Sequence, residues 1–152
     1  MALRLSTGMR NALLGTNPFK TIFAGGVIDV YGGTQPTSAD DVENGTKLIR
    51  ITASSGAFTA GTTTNGLNFG DPANGAIAKA VAEIWSGLGL AAGTATWFRF
   101  YANDVATGAS TTAIRFDGSV STSGAQLNMS STSITVGATT TIDSFSYINP
   151  AS

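Results

Sequence analysis

The sequence predicts an all-β domain, a jelly-roll-like antiparallel β-sandwich with a short N-terminal arm or helix. Three observations predict it. Most of the chain reads as short runs of alternating apolar and polar residues cut by Gly, Asn, Asp and Pro. These runs number eight to ten, at the spacing expected of a sandwich or jelly roll. Helical patterning is confined to the first residues, which divides the chain into an arm over residues 1–18 and one β-domain over residues 19–152.

The arm places Leu5, Met9, Leu13 and Leu14 near one face, with Ser6 or Thr7 available as N-cap, so a short amphipathic turn or helix precedes Gly15. It packs either on its own domain or on a neighbouring subunit. Gly26-Val27-Ile28-Asp29-Val30-Tyr31 is the first clear strand, and Gly32-Gly33-Thr34-Gln35-Pro36 ends it. Ser38-Ala39-Asp40-Asp41 has the spacing of a helix N-terminus, with acids where a helix dipole favours them. After the Asn44-Gly45 turn, residues 46–53 alternate Leu48, Arg50 and Thr52 against Ile49 and Ile51.

The stretch from Phe58 to Pro72 is either short strands with tight turns or one long surface excursion. Residues 76–85 fit a helix by composition and a strand by alternation; the β surroundings favour strand. Residues 94–101 carry Trp97, Phe98, Phe100 and Tyr101 on both faces. That suits a central strand covered by the core on one side and by a loop or partner on the other. Three further strands are predicted at residues 112–116, ending in an Asp117-Gly118 turn, at 125–129 and at 133–137, and the last alternating run covers 139–148.

Composition narrows the chemistry. A chain of 152 residues buries about 70% of its unfolded surface and can hold one core unaided. With no Cys there are no thiolates, disulfides or sulfur-ligated metals. With no His, a serine triad with a histidine base is impossible, leaving carboxylate pairs, a desolvated lysine or a tyrosine for acid–base work. A net charge of −1 and scattered basic residues provide no patch for a phosphate backbone, so nucleic acid is not an expected partner. No apolar run reaches the ~20 residues of a membrane helix, and arginines interrupt the start where a signal peptide would be apolar. The expectation is a protein of the cytoplasm, or of something larger assembled there.

Charged residues make up 11% of the chain, against about 25% in ordinary domains, while Ala, Gly, Ser and Thr supply 78 of the 152 residues. A surface so poor in charge favours association.

Candidate sites are few. Glu83 beside Trp85 could be half of a glycosidase carboxylate pair, but no second acid stands out; Asp104 and Asp117 occupy positions where aspartate shapes loops and turns. Asp40, Asp41, Glu43 and Asn44 gather enough oxygens for calcium without the spacing of an EF-hand, and helix capping explains them better. Trp85, Trp97, Phe98, Phe100 and Tyr101 suit either a sugar-stacking platform or, more simply, a core. No catalytic, cofactor-binding or metal residue is assigned, and no cofactor is expected.

Three segments carry a family resemblance. They are residues 26–36 (GVIDVYGGTQP) with the acidic Ser38-Ala39-Asp40-Asp41 and Gly45-Thr46-Lys47-Leu48 that follow; Trp97-Phe98-Arg99-Phe100-Tyr101; and residues 114–120 leading to Ser123-Gly124-Ala125-Gln126-Leu127. Together they resemble small virion structural proteins of tailed bacteriophages, over most of residues 19–147. The resemblance implies a non-enzymatic particle component assembled in the host cytoplasm. It favours a capsid decoration or cement protein, a jelly-roll or β-tulip sandwich bound as a dimer or trimer over junctions of the major capsid protein. A neck, collar or tail-associated ring protein contacting portal or tail proteins is the alternative within the virion. A carbohydrate- or host-surface-binding module is the alternative from another class. The motifs carry no chemistry, so no site residue is transferred.

Overall fold

The structure, a computed structural model, describes residues 3–15 and 17–149. In chain order its elements are β1 (Arg4–Leu5), α1 (Thr7–Gly15), α2 (Phe19–Ile22), β2 (Val27–Gly32), β3 (Thr46–Ala53), β4 (Ala76–Ala78), β5 (Trp85–Leu88), β6 (Gly93–Thr94), β7 (Trp97–Tyr101), β8 (Arg115–Ser121), β9 (Leu127–Met129), β10 (Ser133–Ile134) and β11 (Thr139–Ile148). The chain is mostly β, with 40% of residues in strands and 9% in helix.

Nine strands form one sheet in the order β1-β8-β7-β2-β3-β5-β11-β4, and β9 pairs with both β11 and β8. The pairings therefore run round from β8 to β11 and return to β8 through β9, giving a barrel-like core instead of two separately bonded large sheets. Every pair in this sheet is antiparallel except β8–β9. A short β6–β10 ribbon lies beside it.

Alternation sorts the side chains. The inward row joins Ile51, Ile28, Phe100 and Phe116 as direct cross-strand neighbours on β3, β2, β7 and β8. All four are fully buried. Phe100 stacks on Phe116 at 5.3 Å, Phe98 and Phe145 close round them, and Phe23 caps the cluster edge-on. The next row sets Phe98 opposite Gly118, where a Cβ would lie 2.6 Å from the Phe98 ring.

That close approach corrects one expectation. Asp117-Gly118 is no turn: β8 runs straight through it, because the glycine makes room for a phenylalanine and the aspartate takes a cross-strand partner. Two more expectations change. Ser38–Asp41 starts no helix: the capping-type bonds form, the Asp41 carboxylate accepting from the Ser38 amide at 2.9 Å and the Asp41 amide donating to the Ser38 carbonyl at 3.1 Å, but the chain stops at one turn, with the carbonyls of Ala39, Asp40 and Asp41 taken by Arg115 and Arg99. Residues 76–85 form no continuous strand, since Lys79 folds onto the Glu83 carbonyl at 2.6 Å and separates β4 from β5.

The arm is tied to its own domain. Arg4 and Leu5 pair with Asp117 and Phe116, and the Ser6 hydroxyl caps α1 by accepting from the Met9 amide at 3.0 Å. Met9 is fully buried, whereas Leu14, expected on the same apolar face, is 88% exposed.

Candidate functional site: a buried charge ladder

The outward face of the same strands carries charge. Strand register makes Arg50, Asp29, Arg99, Asp117 and Arg4 successive neighbours across β3, β2, β7, β8 and β1. The signs alternate along the row, so no like charges stand directly opposite. Arg50 grips Asp29 through two bonds, Nε to Oδ1 at 2.6 Å and Nη2 to Oδ2 at 2.7 Å, and Lys47 approaches the same carboxylate at 3.5 Å. Arg99 holds Asp117 the same way at 2.6 and 2.8 Å. Asp29, Arg99 and Asp117 are all buried.

Two loops, residues 33–45 and 102–114, seal this face, and buried arginines hold them down. Arg115 donates to the carbonyls of Ala39 at 2.7 Å, Ala106 at 2.7 Å and Gly108 at 2.6 Å, with longer bonds to Asp40 and Asp41. Arg99 reaches the Asp41 carbonyl at 2.9 Å. Glu43 links the two loops: its carboxylate accepts from the Tyr101 hydroxyl at 2.7 Å, the Gly108 amide at 3.0 Å and Arg99 Nη1 at 3.1 Å. Asp40 accepts from the Thr7 amide and hydroxyl at 2.8 and 2.6 Å, fastening the first turn of α1 to the first loop. Arg4 adds a bond to the Pro36 carbonyl.

Electrostatics follow from this packing. Burial opposes the charge of Glu43, but the Tyr101 hydroxyl, the Gly108 amide and Arg99 outweigh it and hold the carboxyl below its ordinary range. Asp40 is lowered likewise: some desolvation opposes its charge, and the two Thr7 bonds and Arg10 prevail. Burial pushes the Tyr31 phenol up to about 12 and raises Tyr101 as well. Burial also raises the Asp117 carboxyl, against the opposing pull of its bonds to Arg99.

The residues singled out from sequence fall into structural positions. Glu83 accepts from Trp85 Nε1 at 2.8 Å, the Asn68 amide at 2.9 Å and Asn68 Nδ2 at 2.9 Å, so its carboxylate latches the 66–69 segment to β5. Asp104 is exposed in a loop. Glu43 and Asp117 do converge, but on a shared guanidinium beneath two loops and not across a cleft. Asp40, Asp41 and Glu43 direct their carboxylates to Thr7, to Thr37 and Ser38, and to the Tyr101 group, while Asn44 donates to the Thr34 carbonyl. Among the described residues, no group of three or more acids could hold a metal ion. The helix-capping reading fails at Ser38–Asp41, where the capping-type bonds close a single turn, and Asp40 instead fastens the first turn of α1. Trp85, Trp97, Phe98, Phe100 and Tyr101 are fully buried, which places them in the packed interior and not on a sugar-stacking surface.

Sequence reasoning missed the two arginines that organise this face. The available signal was a charge at the centre of a bulky apolar run: Asp29 in VIDVY, Arg99 in WFRFY and Arg115 in IRF. A central strand tolerates such a residue only if a neighbouring strand supplies its counter-charge.

Two surface features remain. An apolar groove of about 610 Å³ lies between α1, α2 and the end of β11, floored by Phe19 stacked on Tyr147 at 4.4 Å and lined also by Leu5, Leu13, Leu14 and Ile77. Around the end of β5, Leu88 and Leu90 flank Gly89, which bridges to Val136, and all three aliphatic side chains are at least half exposed. No family model matches the chain, and neither a curated protein nor a solved structure does.

Proposed function

We propose that the chain is a non-enzymatic structural protein of a tailed-bacteriophage particle, a decoration or cement protein that clamps neighbouring major capsid subunits. The jelly-roll-like sandwich expected with that role belongs to the same proposal, as do a homo-oligomeric state and residence in the virion after assembly in the host cytoplasm.

One observation carries this reading: a chain already poor in charge buries Asp29, Arg99, Arg115 and Asp117 beneath its loops and leaves Leu88, Leu90 and Val136 exposed. Such a surface gains from contact with other protein, because covering what remains exposed of each half-buried aliphatic side chain is worth roughly 1 kcal/mol, about half the value for full burial. The rigid ladder beneath would keep the covering loops in shape, so that many modest contacts add through effective concentration. Glu83 and Asp117, two of the three carboxylates weighed for catalysis, are engaged in structural bonds, which supports a role without chemistry. The sugar-binding alternative loses its motivating feature with the burial of both tryptophans.

The test is rebinding. Purified chain mixed with particles stripped of it should co-sediment with the shell and migrate as an oligomer alone. A strict monomer that leaves stripped particles bare overturns the reading, and binding confined to necks or tails replaces it with the ring-protein alternative.

A further inference from the structure

The chain contains three Asn-Gly pairs, at 44–45, 65–66 and 74–75, and the structure treats them differently. A glycine after asparagine leaves the following amide nitrogen unhindered, so in an unfolded chain all three would deamidate at similar rates. In the fold, two are restrained. Asn65 Nδ2 donates to the Ala57 carbonyl at 2.7 Å, and Gly66 is buried, its backbone lying so close to Gly25 that an added Cβ would be 2.3 Å from that carbonyl. Asn44 Nδ2 donates to the Thr34 carbonyl at 3.1 Å, and Gly45 is pressed against the Gly32 carbonyl beside the Gly32–Thr46 pair.

The Asn74 side chain has no such restraint, and its turn is tied to the rest of the fold through the Gly75 carbonyl, which accepts from the Asn149 amide. Asn74 and Gly75 are exposed at the tip of a two-residue hairpin closed by mutual Ala73–Ala76 bonds of 2.9 Å. Their φ values of 52° and 75° are those of a turn that Asn-Gly favours. Neither the Asn74 side-chain amide nor the Gly75 amide has a hydrogen-bond partner among the described residues. Exposed turn tips of this kind open at low free-energy cost.

We propose that Asn74 is the chain's site of spontaneous deamidation in the native state. The Gly75 nitrogen, giving its proton to solvent, bonds to Asn74 Cγ; the Cγ–Nδ2 bond breaks and ammonia leaves, closing a succinimide. Water then opens either imide carbonyl to give aspartate or isoaspartate. Both products add a negative charge to a molecule of net charge −1, at a turn whose Gly75 lines the apolar groove. The isoaspartate form also puts an extra methylene into the main chain. That disrupts the Ala73–Ala76 pair and the bond from the Asn149 amide to the Gly75 carbonyl at 2.8 Å, which joins this turn to the end of β11.

The experiment is peptide mapping of the full chain aged at mildly alkaline pH and physiological temperature, with fragmentation to locate each one-mass-unit gain and isoaspartate methyltransferase labelling to detect the iso product. Native protein should deamidate at Asn74 ahead of Asn44 by ~2–10-fold, the rate equivalent of releasing one hydrogen bond, and further ahead of Asn65. In denaturant the three rates should converge, and Asn74→Gln should remove the acidic form seen on anion exchange. A native rate at Asn44 or Asn65 equal to or above that at Asn74, or the same order of sites in native and denatured chain, overturns the proposal.

Discussion

Replacing Arg115 with methionine should be among the most damaging single changes in this protein. The side chain is fully buried and donates to five loop carbonyls, three of them within 2.7 Å. Methionine keeps much of the volume but supplies no donor, so the carbonyls of Ala39, Ala106 and Gly108 lose their bonds and Glu43 loses a nearby positive charge. Breaking one partner out of a buried charged network costs ~3–5 kcal/mol. With a urea m-value of about 2 kcal/mol/M for a chain of this size, the midpoint should fall by ~1.5–2.5 M. Fluorescence of the buried Trp85 and Trp97 reports the transition, and amide exchange should rise first in residues 33–45 and 102–114. Arg115→Lys should recover little, because an ammonium is a compact point charge that cannot span carbonyls arranged around a planar fork. A midpoint for Arg115→Met within ~0.3 M of the parent, a small fraction of the m-value-based shift, would show that the loops hold without it and refute the stapling argument.

Other outcomes follow from the same geometry. Because the folded-state pKa values of Glu43 and Asp40 are depressed, their contribution is present above the ordinary carboxylate range near ~4 and is lost as pH falls through the lowered folded values. Burial raises the Asp117 carboxyl, which works in the opposite sense, so the check is a difference: between neutral and acid pH the urea midpoint of Glu43→Gln should fall less than that of the parent, and an unchanged slope counts against the assignment. Gly118→Ala should cost ~1–3 kcal/mol by overpacking Phe98, with partial recovery in the Phe98→Leu background, as read from thermal midpoints. Leu88→Ser combined with Leu90→Ser should leave stability within about 1 kcal/mol while weakening self-association and particle binding. Unaltered association would move the interface elsewhere on the surface.

The parts of the fold legible in sequence are those where one periodicity governs. Residues 46–53 and 139–148 form strands over their predicted lengths, while of the strand predicted at 94–101 only residues 97–101 run between core and loop, Thr94 belonging to the ribbon with β10. The errors share a cause. Asp-Gly at 117–118 and Ser-x-x-Asp at 38–41 are local signals that mean turn or helix in isolation, but here distant partners decide: Arg99 and Phe98 for the first, and for the second Arg115, which takes the carbonyls of Ala39, Asp40 and Asp41. The charge ladder itself was hidden because its members lie on separate strands, and only register makes them neighbours. No local window contains Arg99 and Asp117 together with Asp29 and Arg50.

Under the proposed function, the charge-poor shell over an internally paired ladder binds other protein in a particle. A cryo-electron-microscopy reconstruction of phage particles purified from cells that express this chain tests it. The account predicts barrel-shaped density repeated over capsomer junctions, with the Leu88–Leu90–Val136 face against a neighbour and residues 33–45 and 102–114 ordered as in the isolated chain. Particles that assemble with the chain absent from shell, neck and tail alike would contradict it.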